Sequence, residues 1–225
     1  SDKTNMQHIR QQTVREIFDD ISLNVIAYLE THHAVAKVSF VERQPINVGS
    51  LAIWEHTNRP CVLPDDLRNL ALITDGILLR WDTKFHGEVV PLGCLQLNSV
   101  SAIKEISVDA EDDDAWQEAL DGQGGLVDPP FRPAHPPTPE DEARLLELRR
   151  ARQSWRAFDL DSSCTCGRVA LLYARGTKDP QVWLQDPCGR WFFMSRRFMD
   201  YFRLLVMHLG LPRWQLSYSA AGLDE

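Results

Sequence analysis

No uninterrupted apolar run reaches the roughly 18–20 residues that a membrane-spanning helix needs, and no charged-then-apolar leader segment is recognisable. The chain is therefore expected to be soluble and intracellular, with no membrane partner. Basic residues are also in deficit: Lys+Arg 24 against Asp+Glu 32 gives a formal net charge of -8 over 225 residues. That argues against a protein that holds nucleic acid or acidic lipid through its overall charge. Cysteines are few, odd in number and irregularly spaced (Cys61, Cys94, Cys164, Cys166, Cys188), unlike a secreted disulfide framework. Cys164-Thr165-Cys166 is a C-x-C in a turn-like setting, not the paired C-x-x-C of a zinc site, so ordinary reduced thiols and no metal are expected. A glycine-rich phosphate loop, G-x-S-x-G, H-E-x-x-H and a kinase-like residue set are all missing. Neither an enzyme nor a bound cofactor is expected, and no catalytic residue is nominated.

What is present is a globular composition, 44% hydrophobic with seven tryptophans, enough to bury a core. The best-written stretch runs from Pro60 to Trp81. Pro64 sets the backbone for a helix start, and Asp65 and Asp66 offer carboxylates to the free N–H groups of a first turn. Leu67, Leu70, Ala71 and Thr74 fall on one face at helical spacing. Asp75-Gly76 is expected to stop the helix, and Ile77, Leu78, Leu79 and Trp81 read as a buried strand.

Upstream, residues 5–31 read as a long amphipathic helix with an apolar stripe through Ile9, Ile17, Phe18, Val25, Ile26 and Leu29. His32-His33 follows. Adjacent histidines cannot share a helix face, so solvent-facing rings are the simpler reading than a metal pair. A strand is expected over Ala36–Glu42, then a helix from Ser50 with Leu51, Ile53 and Trp54 inward and Glu55, His56 and Asn58 outward. After a turn at 82–87, Glu88–Gly93 and Cys94–Leu97 read as two further strands, and Asn98–Ile106 as an edge segment leaving the sheet.

Composition changes over residues 107–153. Asp109, Glu111, Asp112, Asp113, Asp114, Glu118 and Asp121 form an acidic run with no basic residue among them, followed by glycines and a proline-rich tract. Such a segment buries too little apolar surface to fold alone and reads as an insertion. It lacks the spacing of a calcium loop, so a solvated acidic loop is the simpler reading. Within it, Thr138-Pro139-Glu140-Asp141 opens a short helix made basic by Arg144, Arg149, Arg150 and Arg152. From Trp155 the sheet resumes, with strands at Ala157–Leu160, Arg168–Tyr173, Val182–Leu184 and Trp191–Phe193, whose connections are too short for crossover helices, so antiparallel neighbours are the natural reading. A last helix opened by Ser195 is expected to bury Phe198, Tyr201, Phe202, Leu205 and Leu209 and to be capped by Gly210. His208 lies in its last turn, where a cation suits the dipole.

Two blocks of residues resemble known families. Trp54, Cys61-Val62-Leu63-Pro64-Asp65-Asp66-Leu67, Thr74-Asp75-Gly76, Trp81 and Val90-Pro91-Leu92-Gly93 resemble the SUKH superfamily, in which a leucine-proline pair opens a helix that ends before a tryptophan-bearing strand. Val182-Trp183-Leu184-Gln185-Asp186, Trp191 and Phe198-Met199-Asp200-Tyr201-Phe202 through Pro212-Arg213-Trp214-Gln215 resemble the subunit 2 family of the tubulin polyglutamylase complex, as do Val38–Pro45 and the segment from Leu97 to Ile103. The resemblance covers most of residues 35–105 and 155–222 and leaves out the insertion.

It implies an α+β, SUKH-like domain over 35–222, interrupted by 107–153 and preceded by the helix of 1–34, with a mostly antiparallel sheet backed by helices. It further implies a non-catalytic adaptor or scaffold subunit. Its partners would be tubulin or microtubules, tubulin-ligase complex subunits or axonemal proteins, and its place the cytoplasm and cytoskeleton, including the cilium, axoneme or basal body. A structural protein of the axoneme and a regulatory SUKH-type binding module are the alternative readings. Because tubulin is acidic, a face that touches it should be basic. The candidate partner-binding residues are Arg144, Arg149 and Arg150, and Arg190, Arg196, Arg197, Arg203 and Arg213.

Overall fold

Two antiparallel sheets share one apolar core in the computed structural model of the chain, which describes residues 15–16, 18–19, 23–108, 155–174 and 178–219. Helix α1 covers residues 23–31. It is followed by β1 (Val35–Glu42), α2 (Val48–Thr57), α3 (Asp65–Ala71), β2 (Ile77–Phe85) and β3 (Glu88–Leu97). After a 3-10 turn at Val100–Ala102 come β4 (Glu105–Ile106), β5 (Arg156–Asp161), β6 (Arg168–Tyr173), β7 (Gln181–Gln185) and β8 (Trp191–Ser195). The chain then forms α4 (Phe198–Met207) and a 3-10 helix at Trp214–Tyr218. The three-stranded sheet has the order β1-β2-β3 and the five-stranded sheet β4-β5-β6-β7-β8.

Alternation along the strands sends Val38, Phe40, Ile77, Leu79, Trp81, Leu95 and Leu97 inward. They meet Leu29 of α1, Leu51 and Trp54 of α2, Leu67 and Leu70 of α3, and Phe198, Tyr201, Phe202 and Leu205 of α4. Phe158, Leu160, Val169, Leu171 and Leu184 of the second sheet join the same core, so the helices back one side of both sheets. The expected α+β class with antiparallel strands is the one observed. The other face of the five-stranded sheet carries a separate cluster of Ala157, Ala170, Leu172, Trp183 and Trp191.

Several local expectations change once long-range contacts are in place. The strands form two sheets, not one: β3 and β5 meet where the Asn98 N–H donates to the Leu160 carbonyl at 3.0 Å, and no ladder continues from there. Residues 88–97 are a single strand, and β2 extends to Phe85, leaving only His86 and Gly87 as the turn. Asn98–Ile106 does not simply leave: β4 pairs with β5 through Glu105 and Ile106. Helix α3 ends at Ala71, ahead of Gly76, because buried Thr74 accepts the Arg43 N–H and donates to the Gly76 carbonyl, drawing the chain towards β1. Ile53 is 68% exposed, since it lies about 200° around the helix from Leu51. Glu55 reaches Arg68 at 3.4 Å, tying α2 to α3.

The α3 carboxylates also act further away than their helix. Asp66 accepts the Leu67 N–H at 3.0 Å, and its other oxygen accepts the Met199 N–H at 2.8 Å, so it caps the first turn of α4 as well as its own helix. Burial raises the Asp66 carboxyl above its usual value, partly offset by these N–H donors. Helix α4 starts at Phe198, not at Ser195, whose hydroxyl donates to the Arg197 carbonyl while its backbone ends β8. Leu209 lies beyond the helix with φ 54° and is half-buried. His208 stacks on Trp214 at 4.6 Å and 13°, and burial pushes its pKa down. It packs on Trp214 at the helix end, a structural role.

Candidate functional site

Catalytic chemistry requires reactive groups that converge where a substrate can reach them. One polar cluster among the described residues is centred on buried Asp161 and Tyr201. Asp161, 1% exposed, accepts the Tyr201 hydroxyl at 2.9 Å on one oxygen. Its other oxygen accepts the Ser163 N–H at 2.8 Å and the Ser163 hydroxyl at 2.6 Å. The Cys164 and Cys166 sulfurs lie 3.6 Å apart as free thiols, with Gln215 Oε1 at 3.7 Å from Cys166 Sγ. Burial pushes up the Asp161 carboxyl, the Tyr201 phenol and the Cys164 thiol, so the tyrosine remains a neutral donor and the thiol protonated. This is a structural knot that fastens the β5–β6 turn to α4. Among the described residues no group of three or more His, Cys, Asp and Glu is placed to hold a metal ion.

Cavities lead to the same point. A cleft between α1, the three-stranded sheet and α4, lined by Val25, Phe40, Leu79, Leu95 and Phe202, has only about 20 Å³ of space, room for one water molecule. A second, open cleft of about 470 Å³ lies beside the β7–β8 turn, lined by Ser107, Gly167, Arg168, Gln185 and Asp186. Asp186 is occupied there by the turn itself, accepting the Cys188 and Arg190 N–H groups at 2.9 Å each.

The remaining candidates among the described residues are on the surface. Three of the candidate arginines, Arg190, Arg197 and Arg203, stand in ion pairs. Arg144, Arg149, Arg150 and Arg152 lie outside the described residues, as does the segment expected to be an insertion, apart from Ser107 and Val108. Arg190 donates to Asp186 at 2.8 Å and sits over the Phe192 ring at 5.7 Å. Arg197 and Arg203 share one carboxylate, Asp200, at 3.1 and 3.7 Å, so the two charges are partly compensated within α4. Arg196 and Arg213 are exposed on either side of that helix.

Three further basic residues share a surface on the three-stranded sheet. Lys37 lies opposite Asp82, and Ser39 opposite Arg80. Lys84 follows two residues after Asp82 on β2, so Lys37, Arg80 and Lys84 point to the side away from the core, and all three are exposed. The signal is present in the sequence as alternation, Lys37-Val38-Ser39-Phe40 and Leu79-Arg80-Trp81-Asp82-Thr83-Lys84. Pairing β1 with β2, roughly forty residues apart, is what makes it one face.

Arg156 shows what a cation does here when it is structural. Its guanidinium forms two 2.7 Å bonds to the Glu105 carboxylate, donates to the Asn58 carbonyl at 2.7 Å, and lies over Phe158 at 5.1 Å. It thus joins β4, β5 and the end of α2. Hydrogen bonding from Arg156 holds the Glu105 carboxyl below its usual range. The stabilisation this gives is full above the unfolded carboxyl pKa and is lost as pH falls through the lower folded value. Arg156→Ala should cost about 2–3 kcal/mol in urea unfolding, because it strands carbonyls as well as a carboxylate. Glu105→Gln, at a half-exposed position, should cost about 1 kcal/mol or less. Equal losses from the two changes would show that the carbonyl contacts contribute nothing.

Comparison with known proteins adds a relationship. Curated relatives include tubulin polyglutamylase complex subunit 2 of Mus musculus and of Rattus norvegicus, each 29% identical over 215 residues, and that of Homo sapiens, 29% identical over 223 residues. In each case 92% of this chain is covered, and the chain spans about two thirds of the relative: 67%, 67% and 66% respectively. The chain is a distant homologue of these proteins. No family model matches it, and no solved structure does.

Proposed function

We propose, from this distant kinship, that the chain is a non-catalytic adaptor or scaffold subunit of a tubulin-modifying assembly. On this reading it binds protein partners in a microtubule or ciliary setting and works at the cytoskeleton, at the axoneme or basal body. The observation that carries the proposal is the reach of the relationship, 92% of the chain, which takes in both sheets and the helices that back them. The non-catalytic part is supported by the core: Asp161 and Tyr201, which resemble reactive groups, are buried and bonded to each other, and buried Cys166 donates to Gln215. A SUKH-like fold is supported by the helix opened at Leu63-Pro64 and by Trp81, which follows it on a central strand.

An affinity pull-down of the tagged chain from ciliated cells, read by mass spectrometry, tests the proposal. A tubulin-ligase chain and its companion subunits are the expected recovery. Tubulin and axonemal proteins without any ligase would replace the adaptor reading with that of a structural lattice protein.

A further inference from the structure

We propose that the outer face of the three-stranded sheet is a docking site for an acidic polypeptide segment, held in an extended conformation by Lys37, Arg80 and Lys84. The inference builds on the reading of the chain as a protein-binding subunit and names the chemistry of one partner. Three observations carry it.

The first is charge. Lys37, Arg80 and Lys84 stand on one exposed face, with Asp82 the single carboxylate among them in the described residues. Among the described residues none of the three cations forms an ion pair, in contrast to Arg68, Arg156, Arg190, Arg197 and Arg203. A face with excess positive charge on a chain of net charge -8 attracts an anionic segment locally, while the rest of the molecule repels an extended polyanion.

The second is spacing. Lys37 and Arg80 occupy diagonal positions across the β1–β2 pair, which sets them about 7–8 Å apart. Arg80 and Lys84 are separated by four residues of one strand, about 13 Å. Side chains on one side of an extended peptide recur every 6.6 Å or so, so carboxylates at alternate positions meet one interval and carboxylates four apart meet the other.

The third is the neutral surface between the charges. Ser39 and Val41 of β1 and Val89 of β3 are exposed around these cations, and β1 is the outer strand of its sheet. Short hydroxyl and aliphatic side chains suit the stems of glutamate side chains. Among the described residues, the strand positions on this face between Lys37, Arg80 and Lys84 carry no aromatic ring on which nucleic-acid bases could stack.

Fluorescence polarisation of a short labelled poly-L-glutamate peptide with the purified full chain is the test. Binding is expected, weakening as NaCl is raised. The variant Lys37→Glu/Arg80→Glu/Lys84→Glu is expected to bind about tenfold or more weakly, and Arg197→Glu/Arg203→Glu to stay within about twofold of the parent. If the triple variant does not fold, Lys37→Gln/Arg80→Gln takes its place, with an expected loss of about threefold. Parent-like binding by the sheet-face variants, or loss of binding in the α4 variant, would overturn the site. So would equal competition by a single-stranded oligonucleotide, which would make the face a general polyanion surface. No binding by the parent chain also overturns it. If the pull-down recovers ligase subunits and the peptide does not bind, this site alone is wrong. Peptide binding without those subunits leaves the site and removes the complex.

Discussion

Gly93→Val should lower the unfolding free energy by about 3–5 kcal/mol, a large part of the margin of an ordinary domain. The cause is the indole of Trp81. Trp81 and Gly93 are direct partners in the β2–β3 ladder, and the tryptophan ring lies flat across the glycine. A Cβ at position 93 would fall 1.8 Å from Trp81 Nε1, far inside contact distance. That nitrogen is not free to move aside, because it donates to the Leu209 carbonyl at 2.8 Å and ties β2 to the end of α4. Trp81 itself is buried, with 7% exposure. Displacing it loses the hydrogen bond and opens the core between the three-stranded sheet and α4.

The same junction depends on Gly210, where a Cβ would lie 2.4 Å from the Cys94 backbone and whose carbonyl accepts the Cys94 N–H at 2.9 Å. Urea unfolding of Gly93→Val, Trp81→Leu and the double variant measures the effect. If steric displacement of the indole is the mechanism, the double variant loses much less than the sum of the singles. Additive losses would mean that Gly93 matters for a reason other than Trp81.

Asp161→Ala should cost about 3 kcal/mol, because it leaves the Tyr201 hydroxyl and the Ser163 N–H and hydroxyl without their acceptor in the core. Asp161→Asn retains an acceptor oxygen and removes a desolvated charge, so it should cost much less at neutral pH. Burial, outweighing the Ser163 and Tyr201 hydrogen bonds, raises the folded Asp161 pKa above the unfolded value of about 4. The contribution of such an acid is full below the unfolded pKa and is lost as pH rises through the higher folded pKa. The stability of the parent relative to Asp161→Asn should therefore fall as pH is raised from about 4 to 7. Melting temperatures of the two proteins across that range report it directly. Asp66 and Asp159 are raised in the same sense by burial, and their effect cancels in the comparison. A gap that is constant with pH, or one that moves the other way, would mean that Asp161 carries no buried charge.

Much of the architecture is written locally. Alternating apolar residues at Phe158, Leu160, Val169, Leu171, Val182 and Leu184 mark strands by themselves, and the spacing of Phe198, Tyr201, Phe202 and Leu205 marks one helix face. These patterns are short-range, since a period of 2 or 3.6 residues needs no knowledge of what lies opposite. The same locality explains the errors. Gly76 is a sound helix stop by composition, yet Thr74 bonds to Gly76 and Arg43 and ends the helix first. Ser195 is a plausible helix start, yet the α4 N-terminus is capped by Asp66, 133 residues away from Met199 in sequence.

The surface divides in the same way. From the sequence alone follow the deficit of positive charge, the lack of catalytic motifs and the presence of arginines near α4. Whether a given cation is available to a partner depends on which carboxylate stands near it in space. Arg197 and Arg203 converge on Asp200, and Arg156 on Glu105, 51 residues distant. Lys37, Arg80 and Lys84 become neighbours only through the register of β1 against β2. Periodicity determined the elements; strand pairing and ion pairing between distant residues decided which charges face outward together, because Coulomb and hydrogen-bond energies depend on separation in space and not along the chain.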